Sequence, residues 1–103
     1  MLNSIDYDSA KAGVNAITRA AALEFAEHGV RVNAVMPGST NRPGAPSFGD
    51  IRPTGPFTMP GRHPMNRIAE PIEQARAILF LASPAASYIS GICLAVDGAA
   101  MLS

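Results

Sequence analysis

Between residues 8 and 28 the apolar side chains Val14, Ile17, Ala21 and Phe25 recur at intervals of three and four, the spacing of one face of an α-helix. Gly29 follows, the residue type best suited to the left-handed conformation that ends a helix. The segment 30–36, VRVNAVM, is short and valine-rich, and it predicts a strand buried on both faces or nearly so. Pro37-Gly38 stops it. From 39 to 66 neither a helical nor an alternating period survives, and six of the nine prolines and four of the nine glycines fall there. This is a long loop, of the kind that serves as a lid or binding loop in compact domains. Regular patterning resumes at 71–82, with Pro71 as first helical residue and a stripe of Ile72, Ala75, Leu79 and Ala82. Ser83-Pro84 closes that helix, a turn in which Tyr88 is expected to pack leads on, and 92–96, ICLAV, predicts a second strand before the Asp97-Gly98 turn. The order is helix, strand, long loop, helix, strand. The two strands and the helix 71–82 make one βαβ unit, expected to be parallel with a right-handed crossover.

Length and charge narrow the class of protein. A chain of 103 residues is at most one domain, with room for a modest core. Eight basic residues balance eight acidic ones, which leaves no basic footprint for nucleic acid and no polybasic patch for an anionic membrane. A small neutral or modestly charged partner fits better. The longest apolar run, 77–82, is far short of the ~20 residues that span a bilayer, and no charged-then-apolar export signal opens the chain. A cytoplasmic location is the expectation. The single cysteine, Cys93, excludes an internal disulfide and reads as a small buried hydrophobe.

The candidate chemistry lies in SIDYDSAKAGVNAITRAAALEF, which starts at Ser4. Lys11 is the only lysine beside seven arginines, and it stands four residues after Tyr7. On a helix that spacing puts the phenol and the ammonium on one face. An unperturbed tyrosine titrates near 10, too high for acid–base work at neutral pH. A fixed cation and the positive end of a helix both favour the phenolate, which tunes such a tyrosine for general acid–base catalysis. Lysine suits this better than arginine, because a compact ammonium with rotatable donors can also reach sugar hydroxyls.

Tyr-x-x-x-Lys alone is a common helix-surface pattern. Here, however, YDSAKAGVNAITRAAALEFAEHGVRVNAVMPG resembles the catalytic helix and following strand of the short-chain dehydrogenase/reductase family. The downstream NRIAEPIEQARAILFLASPAASYISGICLAVDGA is similar to that family's C-terminal part, including Glu70-Pro71, Phe80-Leu81-Ala82-Ser83, Ser90-Gly91 and Asp97-Gly98. The resemblance covers nearly the whole chain apart from the proline-rich loop. It implies an oxidoreductase using NAD or NADP to interconvert an alcohol and a ketone, with Tyr7 as acid/base and Lys11 tuning it and binding the nicotinamide ribose. It also implies that Pro37 and Gly38 form the loop against the nicotinamide, with Thr40 where the family usually has a Val or Ile whose backbone contacts the carboxamide. Asn33 matches a structural asparagine that bonds at a strand end. Arg42 replaces a usual threonine, a departure on the cofactor side. Family members commonly form dimers and tetramers, so a homo-oligomer is expected.

In the family the tyrosine comes late. A glycine-rich pyrophosphate-binding turn and a catalytic serine precede it, whereas only six residues precede Tyr7 and no such turn occurs in the 103. Ser4 stands too close to Tyr7 to be that serine. The expected fold is therefore α/β, the C-terminal part of a Rossmann-like doubly wound parallel sheet, with the N-terminal cofactor-binding half absent from the chain. That absence motivates an alternative, a non-catalytic interaction or assembly module using the helix from Asp8, the helix 71–82 and the last strand. His28 and His63 have no ligand-type residues at metal spacing around them, so no metal site is expected. Phe48, Phe57, Met59 and Met65 either line an apolar substrate pocket or anchor the loop, and Glu70 and Glu73 read as charges favouring a helix N-terminus.

Overall fold

The computed structural model describes residues 4–41 and 64–102. Four main elements follow one another: α1 (Ser4–Phe25), β1 (Ala34–Pro37), α2 (Pro71–Ala82) and β2 (Cys93–Val96), with 3-10 turns at Ala26–His28, Pro84–Ala86 and Ala100–Leu102. α1 begins at Ser4 rather than Asp8, because its first turn carries cap-type residues and no apolar period to announce it. It ends at Phe25, and the 3-10 turn Ala26–His28 carries the chain to the stop expected at Gly29. Gly29 adopts φ +71°, its N–H donates to the Ala26 carbonyl at 3.0 Å, and the Val30 N–H reaches back to the Phe25 carbonyl at 3.3 Å, a Schellman ending.

β1 and β2 form a two-stranded parallel sheet. Its register is set by the Ala34 N–H donating to the Ile92 carbonyl at 2.9 Å and the Gly38 N–H to the Val96 carbonyl at 3.0 Å. β1 starts at Ala34 and not at Val30, since the preceding backbone is engaged otherwise. The Val30 N–H closes α1, and the Val32 N–H bonds the Ser90 hydroxyl at 3.1 Å in place of a strand carbonyl. The strands are not buried on both faces. β1 and β2 are half-exposed along most of their length, and Cys93 is half-buried.

Contacts divide the chain into two compact units, Met1–Ala34 with Leu81–Leu94, and Val35–Phe80 with Ala95–Ser103. In the first, Arg31 donates to the backbone carbonyls of Leu81 at 2.7 Å, Ile89 at 3.2 Å and Ser83 at 3.3 Å. α2 has no basic residue in its last turn, so Arg31 supplies from afar the cation that its orphan carbonyls need. Asn33 completes the clamp, its Nδ2 donating to the Ile89 carbonyl at 2.9 Å and its Oδ1 accepting from the Ile92 N–H at 3.1 Å. In the second unit Glu73 begins α2. It accepts from the Glu70 N–H at 3.2 Å, one half of a capping box, and takes both arms of Arg67 at 2.7 and 2.8 Å. Glu70 in turn accepts from Asn41 at 3.3 Å.

Neither helix packs on the stripe that its apolar residues mark. On α1, Val14, Ile17 and Phe25 are 50%, 69% and 43% exposed, while Thr18 and Ala22 are buried. The covered stripe runs Lys11, Asn15, Thr18, Ala22. Small residues permit a close approach there: a methyl group on Gly91 would stand 3.4 Å from the Ala22 methyl. On α2 the expected stripe of Ile72, Ala75, Leu79 and Ala82 is exposed, and Gln74, Ala77 and Leu81 face inward. Tyr88, expected to pack, is fully exposed.

Two predictions follow for the full-length protein. Arg31→Ala should lower its unfolding free energy by about 1.5–3 kcal/mol, since a charged donor to part-buried carbonyls is lost, and Arg31→Lys should restore little because a single ammonium cannot serve three divergent acceptors. Urea unfolding midpoints at constant slope measure this. Hydrogen bonding from Arg67, reinforced by the Glu70 N–H, lowers the Glu73 carboxyl from 4.5 to about 2. A depressed folded value means the contribution to stability is whole above the ordinary carboxylate range and is lost as pH falls toward about 2. Carbon-13 shifts should find Glu73 still ionised one pH unit below the ordinary midpoint, and Arg67→Ala should bring its titration back toward 4.5.

Candidate active site

In the first unit α1 carries Tyr7 and Lys11. Lys11 is half-buried and heads the covered stripe that continues through Asn15, Thr18 and Ala22. Tyr7 occupies the register position one turn earlier on that same stripe. Its side chain, like that of Ser4, lies outside the described residues. Thr18 satisfies its own buried hydroxyl by donating to the Val14 carbonyl at 2.7 Å, so the stripe can be covered with no polar group stranded at that point.

The second unit holds Pro37, Gly38 and Thr40. Pro37 is the last residue of β1, where its missing N–H removes no bond from the ladder. Gly38 is required by crowding from the protein itself: a Cβ there would lie 2.8 Å from both the Cα and the Cβ of Asp97. Asp97 is fixed in turn, its carboxylate accepting from the Ala99 and Met101 N–H groups at 3.0 Å each. Those bonds hold Ala99 at φ +71°, a left-handed conformation that side chains resist.

Beyond Gly38 the chain pairs briefly with Ala69. The Ala69 N–H donates to the Ser39 carbonyl and the Asn41 N–H to the Ala69 carbonyl, both at 2.9 Å, an isolated parallel bridge centred on Thr40. In that pattern the N–H and C=O of the central residue face away from the partner strand. Thr40 therefore offers a backbone donor and acceptor side by side, which matches the complementary pair on a primary carboxamide. Its hydroxyl donates to the Gly38 carbonyl at 2.9 Å and accepts from Gln74 Nε2 at 3.3 Å. Gln74 Nε2 also donates to the Val96 carbonyl at 2.9 Å, and its Oε1 is buried with no partner among the described residues.

Gln74 and Arg31 escaped the sequence reading. Each acts on backbone distant in sequence, and only the position of Gln74 one turn into α2 could have marked it as inward-facing. Arg42, Phe48, Phe57, Met59 and His63 lie outside the described residues. Met65 is 60% exposed and borders Gly98. Among the described residues no group of His, Cys, Asp or Glu could hold a metal ion, and no helix is long and apolar enough to cross a membrane. An open groove of about 680 Å³ in the first unit, bordered by Arg19, Leu23, Val30 and Tyr88, includes none of the expected site residues.

Comparison with known proteins agrees with the order of these elements. Residues 2–99 match the family model described as enoyl-(acyl carrier protein) reductase. The chain is 50% identical over 99 residues to cis-4-hydroxycyclohexanecarboxylate dehydrogenase of Sinomonas cyclohexanicum, covering 93% of this chain and 37% of that protein. Among solved structures, an oxidoreductase of the short chain dehydrogenase/reductase family from Burkholderia thailandensis superposes with a TM-score of 0.77 at 32% identity, over 94% of this chain and 38% of that one. Acetoin dehydrogenase from Salmonella typhimurium gives a TM-score of 0.70 at 34% identity, over 94% and 35% respectively. The chain thus spans little more than a third of the length of these relatives. Within that span it belongs to the short-chain dehydrogenase/reductase family, with the α/β fold of that family's Rossmann-like members.

Proposed function

We propose that the protein is an NAD- or NADP-dependent oxidoreductase that interconverts a small-molecule alcohol and ketone. The observation that carries this reading is Tyr7 one helical turn before Lys11 on α1, in a chain of this family. The Tyr7 phenolic oxygen gives a proton to the substrate oxygen in reduction and takes it back in oxidation. The Lys11 ammonium holds positive charge beside it, favouring the phenolate, and binds ribose hydroxyls through its remaining donors. Pro37, Gly38 and Thr40 would hold the nicotinamide end, with the N–H and C=O of Thr40, which face away from Ala69, directed at the carboxamide. The residues fit such a group: a backbone donor and acceptor stand adjacent at Thr40, and the Gly38 turn is braced from behind by Asp97. A bound nicotinamide dinucleotide supplies the hydride.

A second reading is favoured by the exposed apolar stripes of α1 and α2, with Ile17 and Leu79 each 69% exposed. We propose that these faces meet a second copy of the protein in a homo-oligomer. Assembly does not exclude catalysis, and in the non-catalytic alternative it is the whole function. Light scattering on the full-length protein should record a lower mass for Ile17→Glu than for wild type, and an unchanged mass would reject this face as the contact.

The catalytic reading is tested in the full-length protein by pH–rate series with cofactor titrations. Tyr7→Phe should abolish turnover while cofactor affinity is retained. Lys11→Met should weaken cofactor binding and displace the alkaline limb of the activity profile, and Lys11→Arg should rescue little, because a planar fork does not reproduce ammonium geometry. Turnover by Tyr7→Phe near the wild-type rate, or superimposable profiles for the Lys11 variants, would sink the assignment.

A further inference from the structure

We infer that Gln74 is a positioning residue for the turn 38–40: its carboxamide ties α2 to the Thr40 hydroxyl and the Val96 carbonyl, and so aims the outward-facing backbone pair of Thr40. The inference rests on the functional reading above, in which that backbone pair meets the nicotinamide carboxamide.

The orientation of the Gln74 amide is forced. The Val96 carbonyl can only accept, so Nε2 must face it at 2.9 Å, and Oε1 is driven to the side where no donor stands among the described residues. None of Gln74's partners depends on it for satisfaction. The Val96 carbonyl already accepts from the Gly38 N–H at 3.0 Å, and the Thr40 hydroxyl already donates to the Gly38 carbonyl at 2.9 Å. As a fold element, then, Gln74 brings two bonds its partners could forgo and one buried oxygen with no donor among the described residues. An apolar side chain of the same length would fill the space without that orphan. What the amide alone provides is direction. It joins α2, the end of β2 and the turn after β1 at once, donating to the same Thr40 hydroxyl that donates to the Gly38 carbonyl.

The test uses Gln74→Met, Thr40→Val and the double variant in the full-length protein, with calorimetric titration of both nicotinamide dinucleotides, kcat and melting temperature. Gln74→Met should melt at the wild-type temperature or higher while cofactor Kd rises about three- to tenfold, the scale of one ordinary hydrogen bond, with a smaller change in kcat. Thr40→Val should show a comparable rise. The double variant should be no weaker than the weaker single, because both act through one contact. Unchanged Kd in Gln74→Met would overturn the inference, as would a loss of affinity that tracks a fall in melting temperature, or additive losses in the double variant. Wild-type protein that binds neither dinucleotide would overturn the functional reading and this inference with it, a result distinct from equal binding by wild type and Gln74→Met.

Discussion

Everything in the first unit depends on how the backbone is satisfied where a parallel strand pair begins. Parallel strands need a long crossover, and the crossover returns through a helix end and a turn whose carbonyls have no ladder to join. Arg31 and Asn33 meet that need from the approach to β1. Between them they hold the carbonyls of Leu81, Ser83 and Ile89 and the Ile92 N–H, so the end of α2, the following turn and the start of β2 are all referred to three consecutive residues. The Ser90 hydroxyl, bonded by the Val32 N–H, lies between them and extends the register by one step. Ahead of β1 the backbone makes one bond across, the Gly91 N–H to the Val32 carbonyl at 2.7 Å, and Arg31 and Asn33 add theirs through side chains.

The elements were legible in the sequence; the faces on which they pack were not. Pro71 and Ser83-Pro84 bracket α2, and Gly29 closes α1, because these residues act on their own neighbours and their effect is local. Packing is decided by what arrives from elsewhere. Val14, Ile17 and Phe25 mark the most apolar stripe of α1, yet the face that is covered carries Lys11, Asn15, Thr18 and Ala22. Hydrophobic period reports which face gains most from burial. It cannot report that a helix lies close against Gly91 and must therefore present alanine and threonine. The same limit misplaced Tyr88, whose ring is exposed although its turn lies just before a strand.

For the site, the part carried by spacing was readable and the part carried by long-range contact was not. Tyr7 and Lys11 are one helical turn apart in any α-helix, so their common face needed no structure. The resemblance places Gly38 in the loop against the nicotinamide but does not say why the residue is glycine: a Cβ there would meet Asp97, 59 residues later. Thr40 looked like a departure in side chain alone. Its hydroxyl is engaged with Gln74, 34 positions away, a partnership that no local pattern encodes.

Two carboxamides, Asn33 and Gln74, each bridge backbone groups from separate segments, and they differ in a way that separates their roles. Asn33 uses both ends of its amide, donating to Ile89 and accepting from Ile92, so it replaces solvent at no net loss of hydrogen bonds. Folding alone accounts for it. Gln74 donates toward the Val96 carbonyl and the Thr40 hydroxyl and leaves Oε1 buried without a donor among the described residues, a state that costs about 1–3 kcal/mol relative to a satisfied oxygen. Its two bonds, each worth about 0.5–1.5 kcal/mol net, do little more than offset that cost. A residue whose contribution to stability is near zero, yet which joins three segments at the turn proposed to face the cofactor, is better understood as fixing a geometry than as holding the fold together.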